Sequence, residues 1–112
     1  GSPPGVARQN VAMDRPCTLT SWRVLPGQVD AFLDTARQLA EVLRQLPGAP
    51  GNLTLIQSVE DPAVFHSIGW FHSEGELEAM RRDTAARQLL EHLVTLSAEC
   101  RPSAHRVIYP DR

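Results

Sequence analysis

No stretch of about 18 consecutive apolar residues occurs in this chain, so the sequence offers no membrane-spanning helix. Cysteine is scarce. Cys17 and Cys100 are the only two, 83 residues apart, and neither has a second cysteine nearby. That is not the spacing of a zinc site. Free thiols in a reducing cytoplasm are the plain reading, and a disulfide between them stays open at the level of sequence. Charge of one sign is also lacking. The 11 basic and 13 acidic residues leave a net charge of −2, and the basic ones are scattered. A nucleic-acid binder needs a concentrated basic face, so this class is not expected. The glycines do not fall as G-x-G-x-x-G, no phosphate loop occurs, and no serine nucleophile elbow is present. His66 and His72 lie on one predicted strand, roughly 20 Å apart at about 3.3 Å per residue, so they do not share a metal. No carboxylate accompanies them at ligand spacing, and neither a resident cofactor nor a metal is expected.

What is present suits one small domain. The chain has 112 residues, 42% of them hydrophobic, which is enough for a single core. Residues 1–16 carry three prolines and two glycines with no apolar period, and read as a loose arm. Gly1-Ser2 looks like the scar of a cleaved tag, and no secretory signal is visible. The domain is expected over 17–110, in the cytoplasm.

Residues 17–25 are rich in β-branched and aromatic types and stop at Pro26-Gly27, which predicts a strand and a turn. Val29, Phe32, Leu33, Ala36, Leu39, Ala40, Leu43 and Leu46 then recur at spacings of three and four, with charged residues between them. That is an amphipathic helix with one buried stripe. Pro47-Gly48 and Pro50-Gly51 end it. Residues 52–59 and 63–72 read as two strands joined by the tight turn Glu60-Asp61-Pro62, hence an antiparallel hairpin. Asn52 opens the first of them, where a turn role suffices. Ser73 precedes Glu76 by three residues, the pattern of a capping box. Helix is predicted over 75–82 and again over 83–99, with a break where Asp83-Thr84 can cap the second piece. Pro102 closes the helical region, and 103–109 reads as the last strand, closed by Pro110.

The order β-α-β-β-α-β is the split βαβ arrangement of ferredoxin-like α+β folds. Right-handed crossovers place the strands as 4-1-3-2 with the helices on one face. Neither sheet face is cleanly polar. On the third strand one side carries Val64, His66, Ile68, Trp70 and His72, and the other carries Phe65, Ser67, Gly69 and Phe71. A solvated face would alternate apolar with polar. Helices cover one side only, so a second copy is expected to cover the other, as a dimeric α+β barrel. An open monomer with a partly apolar face is the competing reading.

The run VLPGQVDAFLDTARQLA, the hairpin of NLTLIQSVEDPAVFHSIGW, and the Ser-Glu helix start after Trp70 resemble the antibiotic biosynthesis monooxygenase family. The resemblance covers residues 17 to 110 and is carried mostly by the spacing of elements. It implies a homodimer acting on a hydrophobic, aromatic or polyketide-like molecule with molecular oxygen, in antibiotic or secondary-metabolite biosynthesis. Haem-degrading relatives carry an asparagine on the first strand and a histidine on the second helix. The corresponding positions here are Thr20 and the neighbourhood of Arg87, with His92 nearest, and both departures count against haem. Relatives that oxidise anthrones without a cofactor use a tryptophan on strand three, which Trp70 matches in type.

If the chain is an oxygenase, the substrate supplies the electrons. Triplet oxygen reacts slowly with closed-shell molecules, but an ionised phenol or anthrone can reduce it. The protein must then take a proton and stabilise an anion in a dry pocket, expected between helices and sheet. His66, inside an apolar strand and on the same side as Trp70, is the candidate base, against a buried structural role. Trp70 is the candidate stacking surface, against plain packing. Trp22 is a candidate pocket wall, with interface packing as the alternative. Arg81 or Arg82, near the helix break, could hold a substrate oxyanion, against a solvated surface. His92 could enter the cavity or stand on the helix flank. His72 and His105, near strand ends, receive no role. A cyclase, isomerase or dehydratase on the same scaffold, or a non-catalytic dimeric ligand-binding domain, are the alternative functions.

Overall fold

The computed structural model describes residues 15–46 and 53–108. Residues 1–14 of the expected arm, the Pro-Gly stops after the first helix, Asn52 and the end of the chain from Tyr109 lie outside the described residues, and Pro16, placed in that arm, is instead the first residue of the first strand. Seven elements follow in order: β1 (Pro16–Val24), α1 (Val29–Arg44), β2 (Leu53–Gln57), β3 (Val64–Trp70), α2 (Glu74–Arg82), α3 (Thr84–Thr95) and β4 (Ser97–Arg106). The strands form one antiparallel sheet in the order β2-β3-β1-β4, which matches the expected ferredoxin-like topology.

Local chemistry explains the boundaries. Pro26-Gly27 turns the chain out of β1, with Gly27 at φ +79°, a conformation that costs glycine little and other residues much. In α1 the buried side chains are Phe32, Thr35, Ala36, Leu39 and Leu43, one stripe at helical spacing. Thr35 is tolerated in that stripe because its hydroxyl donates to the Ala31 carbonyl at 2.8 Å. Ser73 caps α2 by accepting from the Glu76 amide at 3.2 Å, and the Glu76 carboxylate reaches back to the His72 amide at 2.8 Å. Asp83 stands extended (φ −70°, ψ 125°) between the helices, and its carboxylate accepts from the Ala86 amide at 2.9 Å. The expected break is therefore real, and its cause is a cap.

One boundary was misplaced. Helix over 83–99 and a strand over 103–109 were expected, but α3 ends at Thr95 and β4 begins at Ser97. The Ser97 hydroxyl closes the helix end by donating to the Leu93 carbonyl at 2.8 Å. Pro102 sits inside β4 opposite Thr20 rather than ending a helix. An edge strand accepts proline, because its outward side needs no amide donor.

All three helices lie on one side of the sheet. Trp22, Val24 and Phe65 from the strands meet Phe32, Ala36, Leu39, Leu43, Ala86 and Leu93 from the helices. At the centre the Phe32 ring stands 5.5 Å from Trp22, edge to face, and 5.1 Å from Phe65. The other side of the sheet carries Leu19, Ile56, Val64, Ile68 and Trp70, with Ile56 48% and Trp70 37% exposed. No helix among the described residues covers it. Cys17 belongs to this open side and Cys100 to the helix side, so the two thiols point away from each other across the sheet.

The hairpin turn is held by Asp61, which accepts from the Ala63 amide at 3.1 Å and from the Arg23 guanidinium at 3.0 Å. The Ala63 bond, and then Arg23, hold its carboxyl below the ordinary value of 3.8. A depressed folded-state value means stability present at neutral pH and lost as pH falls below 3.8. Asp61→Asn should therefore show a smaller acid-induced drop in melting temperature than the parent protein. Equal drops in the two proteins would show that the turn carboxylate contributes nothing to the acid response.

Candidate functional site

A cavity of about 410 Å³ lies between the helices and the sheet, within the size range of small-molecule sites. The strand registers make its floor. One row runs Ala104–Thr18–Gly69–Leu53 and the next runs Pro102–Thr20–Ser67–Leu55. Cys100 and Trp22 begin a third row that continues into the packed core through Phe65. The roof is formed by Ala36 and Leu39 of α1, Met80 and Arg81 of α2, and Leu90 and Val94 of α3.

The space exists because many residues of its floor are small. Bulky Val24, Phe32 and Phe65 fill one end of the layer, whereas threonine, serine, alanine and glycine occupy the other. At Gly69 the floor itself is closely packed. A Cβ there would stand 2.9 Å from the Thr18 hydroxyl and 3.4 Å from the Phe71 ring, so no larger residue fits without movement.

The polar groups in this apolar chamber are few. The Trp22 indole N–H donates to the Ser67 hydroxyl at 2.9 Å, which fixes the ring as a wall and leaves the serine proton to point elsewhere. The Thr18 and Thr20 side chains contribute hydroxyls to the floor. Burial pushes the Cys100 thiol up from its ordinary value, so the thiol form predominates at neutral pH. Arg81, in the last turn of α2, is the charged side chain of the lining. It pairs with Glu78 at 3.2 Å, and both are about half exposed (51% and 50%), which places the guanidinium at the rim.

Of the expected site residues, Trp22 and Arg81 line this cavity together. The others do not. His66 and Trp70 share one side of β3, as expected, but it is the open side, away from the cavity. This corrects their assignment as pocket base and stacking surface. The side chains of Phe65, Ser67 and Phe71 face the helices, as does the bare Cα of Gly69, and alternation sends His66 and Trp70 the other way. His66 instead takes Ser21 as partner, Oγ to Nδ1 at 3.0 Å, across β1 and β3. Arg82 is exposed and lies off the lining, one residue beyond Arg81 on the helix. His92 is exposed on the flank of α3 and does not enter. The residues that sequence reasoning passed over are Thr18, Ser67, Gly69, Met80 and Cys100. Strand parity with Trp22 was the available signal for Thr18, as parity with Phe65 was for Ser67 and Gly69. Among the described residues, no imidazole or carboxylate lines the chamber, and no group of three or more His, Cys, Asp or Glu could hold a metal. No helix among them is long and apolar enough to cross a membrane.

Comparison with known proteins places this architecture. The family model for antibiotic biosynthesis monooxygenase matches residues 17–92. No curated protein matches. Among solved structures, a conserved protein from Methanosarcina mazei Go1 is 18% identical, with 88% of this chain and 98% of that one covered at a TM-score of 0.78. A candidate antibiotic biosynthesis monooxygenase from Nitrosomonas europaea is 18% identical, with 87% and 93% covered at 0.77. The protein PA3566 from Pseudomonas aeruginosa is 15% identical, with 88% and 98% covered at 0.73. At these identities the likeness to solved structures is one of fold.

Proposed function

The chain belongs to the antibiotic biosynthesis monooxygenase family, and from that premise we propose that it oxygenates a flat, hydrophobic, aromatic or polyketide-like molecule bound in the cavity under α2 and α3. The observation that carries this reading is the chamber itself: apolar, about 410 Å³, walled by a fixed indole and bearing one guanidinium at its rim.

The roles follow from the geometry. The ring system lies over the Thr18–Gly69 and Thr20–Ser67 rows, where the absence of bulk admits a flat body, with Trp22 at its end. The floor hydroxyls orient a substrate oxygen. Arg81 stabilises the anion formed when the substrate loses a proton, and that proton leaves through the open rim, since the lining holds no imidazole or carboxylate. The ionised substrate reduces oxygen itself, so no resident cofactor is needed. For an anthrone-type methylene, CH₂ and O₂ give C=O and H₂O, with one oxygen atom kept on carbon and the other released as water. The homodimer belongs to this proposal: a second copy covers the Leu19–Ile68–Trp70 side, which puts His66 and Trp70 at the subunit interface rather than in the pocket.

The test is oxygen uptake with an anthrone-like substrate and no added flavin, metal or reductant. Uptake equal to the quinone formed is expected, and Arg81→Ala should lower turnover about 10- to 100-fold. Conversion in sealed anaerobic vials would instead assign a cyclase, isomerase or dehydratase. The lack of a base in the lining favours one further reading, a non-catalytic ligand-binding domain. Tight binding without conversion in either atmosphere would establish it.

A further inference from the structure

We infer that Glu78 is an internal stand-in for the ligand's own anionic oxygen, so that the cavity selects ionised flat molecules over neutral ones of the same shape. The inference rests on the reading of the cavity as a ligand site.

Arg81 is the charged group of an otherwise uncharged lining. A guanidinium at the mouth of an apolar chamber adds little to the binding of a hydrocarbon and much to that of an anion, because its forked donors match two oxygens at once. One of those donors, an Nη1 N–H, is held by a carboxylate of the same helix, Glu78, one turn earlier at 3.2 Å. The acidic residues of α2 divide by their work. Glu76 is used at the helix start, where it accepts from the His72 amide. Glu78 has Arg81 as its partner and no part in capping. Both members of the pair are about half exposed (51% and 50%), so water screens it and the carboxylate is easily displaced. An oxyanion arriving from the chamber side meets the same guanidinium in drier surroundings, where the attraction is stronger. Glu78 therefore positions Arg81 at the rim and competes with the ligand for it.

A matched pair of fluorescent probes reads this directly. 8-Anilinonaphthalene-1-sulfonate and N-phenyl-1-naphthylamine share one ring skeleton and differ by the sulfonate. Both should bind, and both should slow alkylation of Cys100, which lines the cavity, relative to Cys17 on the other side of the sheet. The sulfonate should bind the more tightly. Arg81→Gln should cost the sulfonate about tenfold and the neutral probe nothing. Glu78→Gln should raise sulfonate affinity about threefold, again with the neutral probe unchanged. Arg87→Gln, exposed on α3 away from the lining, should alter neither and controls for net charge. If the neutral probe fails to bind or to protect Cys100, the cavity is no ligand site and the function proposed above falls with this inference. If it binds and protects, but Glu78→Gln leaves sulfonate affinity unchanged or lowered, the inference alone is overturned.

Discussion

Ile68→Asp should leave the protein monomeric at micromolar concentrations, where the parent chain is expected to sediment as a dimer. Ile68 lies near the middle of the open side, opposite Leu19 on one strand and Thr54 on the other. It is outside the core under the helices, so the substitution leaves the folded subunit intact. In a two-fold dimer each change enters twice. Burying two unpaired carboxylates in an apolar contact costs at least about 4 kcal/mol in total, so the dissociation constant should rise about a thousandfold or more. Sedimentation equilibrium on both proteins, with far-ultraviolet circular dichroism as the fold control, measures it. A parent chain that is monomeric at these concentrations would sink the prediction and with it the dimeric part of the proposed function. The polar Ser21–His66 pair would lie within the same contact, where its mutual hydrogen bond removes most of the cost of burial.

The largest loss of stability should come from Phe32→Ala. Phe32 is 1% exposed and joins Trp22 of β1 to Phe65 of β3, with ring centroids 5.5 and 5.1 Å away. Truncating a buried phenylalanine costs about 3–5 kcal/mol, against a total of about 5–15 kcal/mol for a domain of this kind. The variant should therefore unfold at a much lower urea concentration, or fail to fold at all at body temperature. The same change removes the edge-to-face support behind Trp22, so residual folded protein should also lose the cavity wall. A loss below about 1.5 kcal/mol would mean that the aromatic cluster is not the anchor of the layer. The two tryptophans make the measurement specific, since Trp22 is buried at 4% and Trp70 is exposed at 37%.

These expectations draw on features that were unequally visible in the amino-acid order. The stripe of α1 was plain, because helical spacing and a buried face are one pattern. Ser73 and Asp83 marked the starts of α2 and α3, because a side-chain oxygen three residues before an orphan amide has little else to do there. The end of α3 was not readable. Leu96 continues the apolar spacing of the helix, and only the pairing of Ser97–Arg106 with β1 drew those residues into a strand. Pro102 suggested a boundary, yet on an edge strand it breaks no ladder. Family membership was legible from the spacing of elements, and the match over 17–92 bears it out.

What the amino-acid order determined by itself is therefore the inventory: which segments coil or extend, in what order, and that both sides of the sheet carry apolar residues. Those properties are local, set by periods of two and of three to four residues and by caps one turn long. Which side of the sheet holds the chamber was decided only in three dimensions. His66 and Ser67 are neighbours in the chain, alternation along β3 sends one to each side of the sheet, and the crossover of α1 onto the Phe65 side puts Ser67 in the chamber and leaves His66 outside it. The chamber is likewise collective, since it arises where small residues from three strands and a helix coincide. No single stretch of chain encodes a void, because a void is what several stretches together fail to fill.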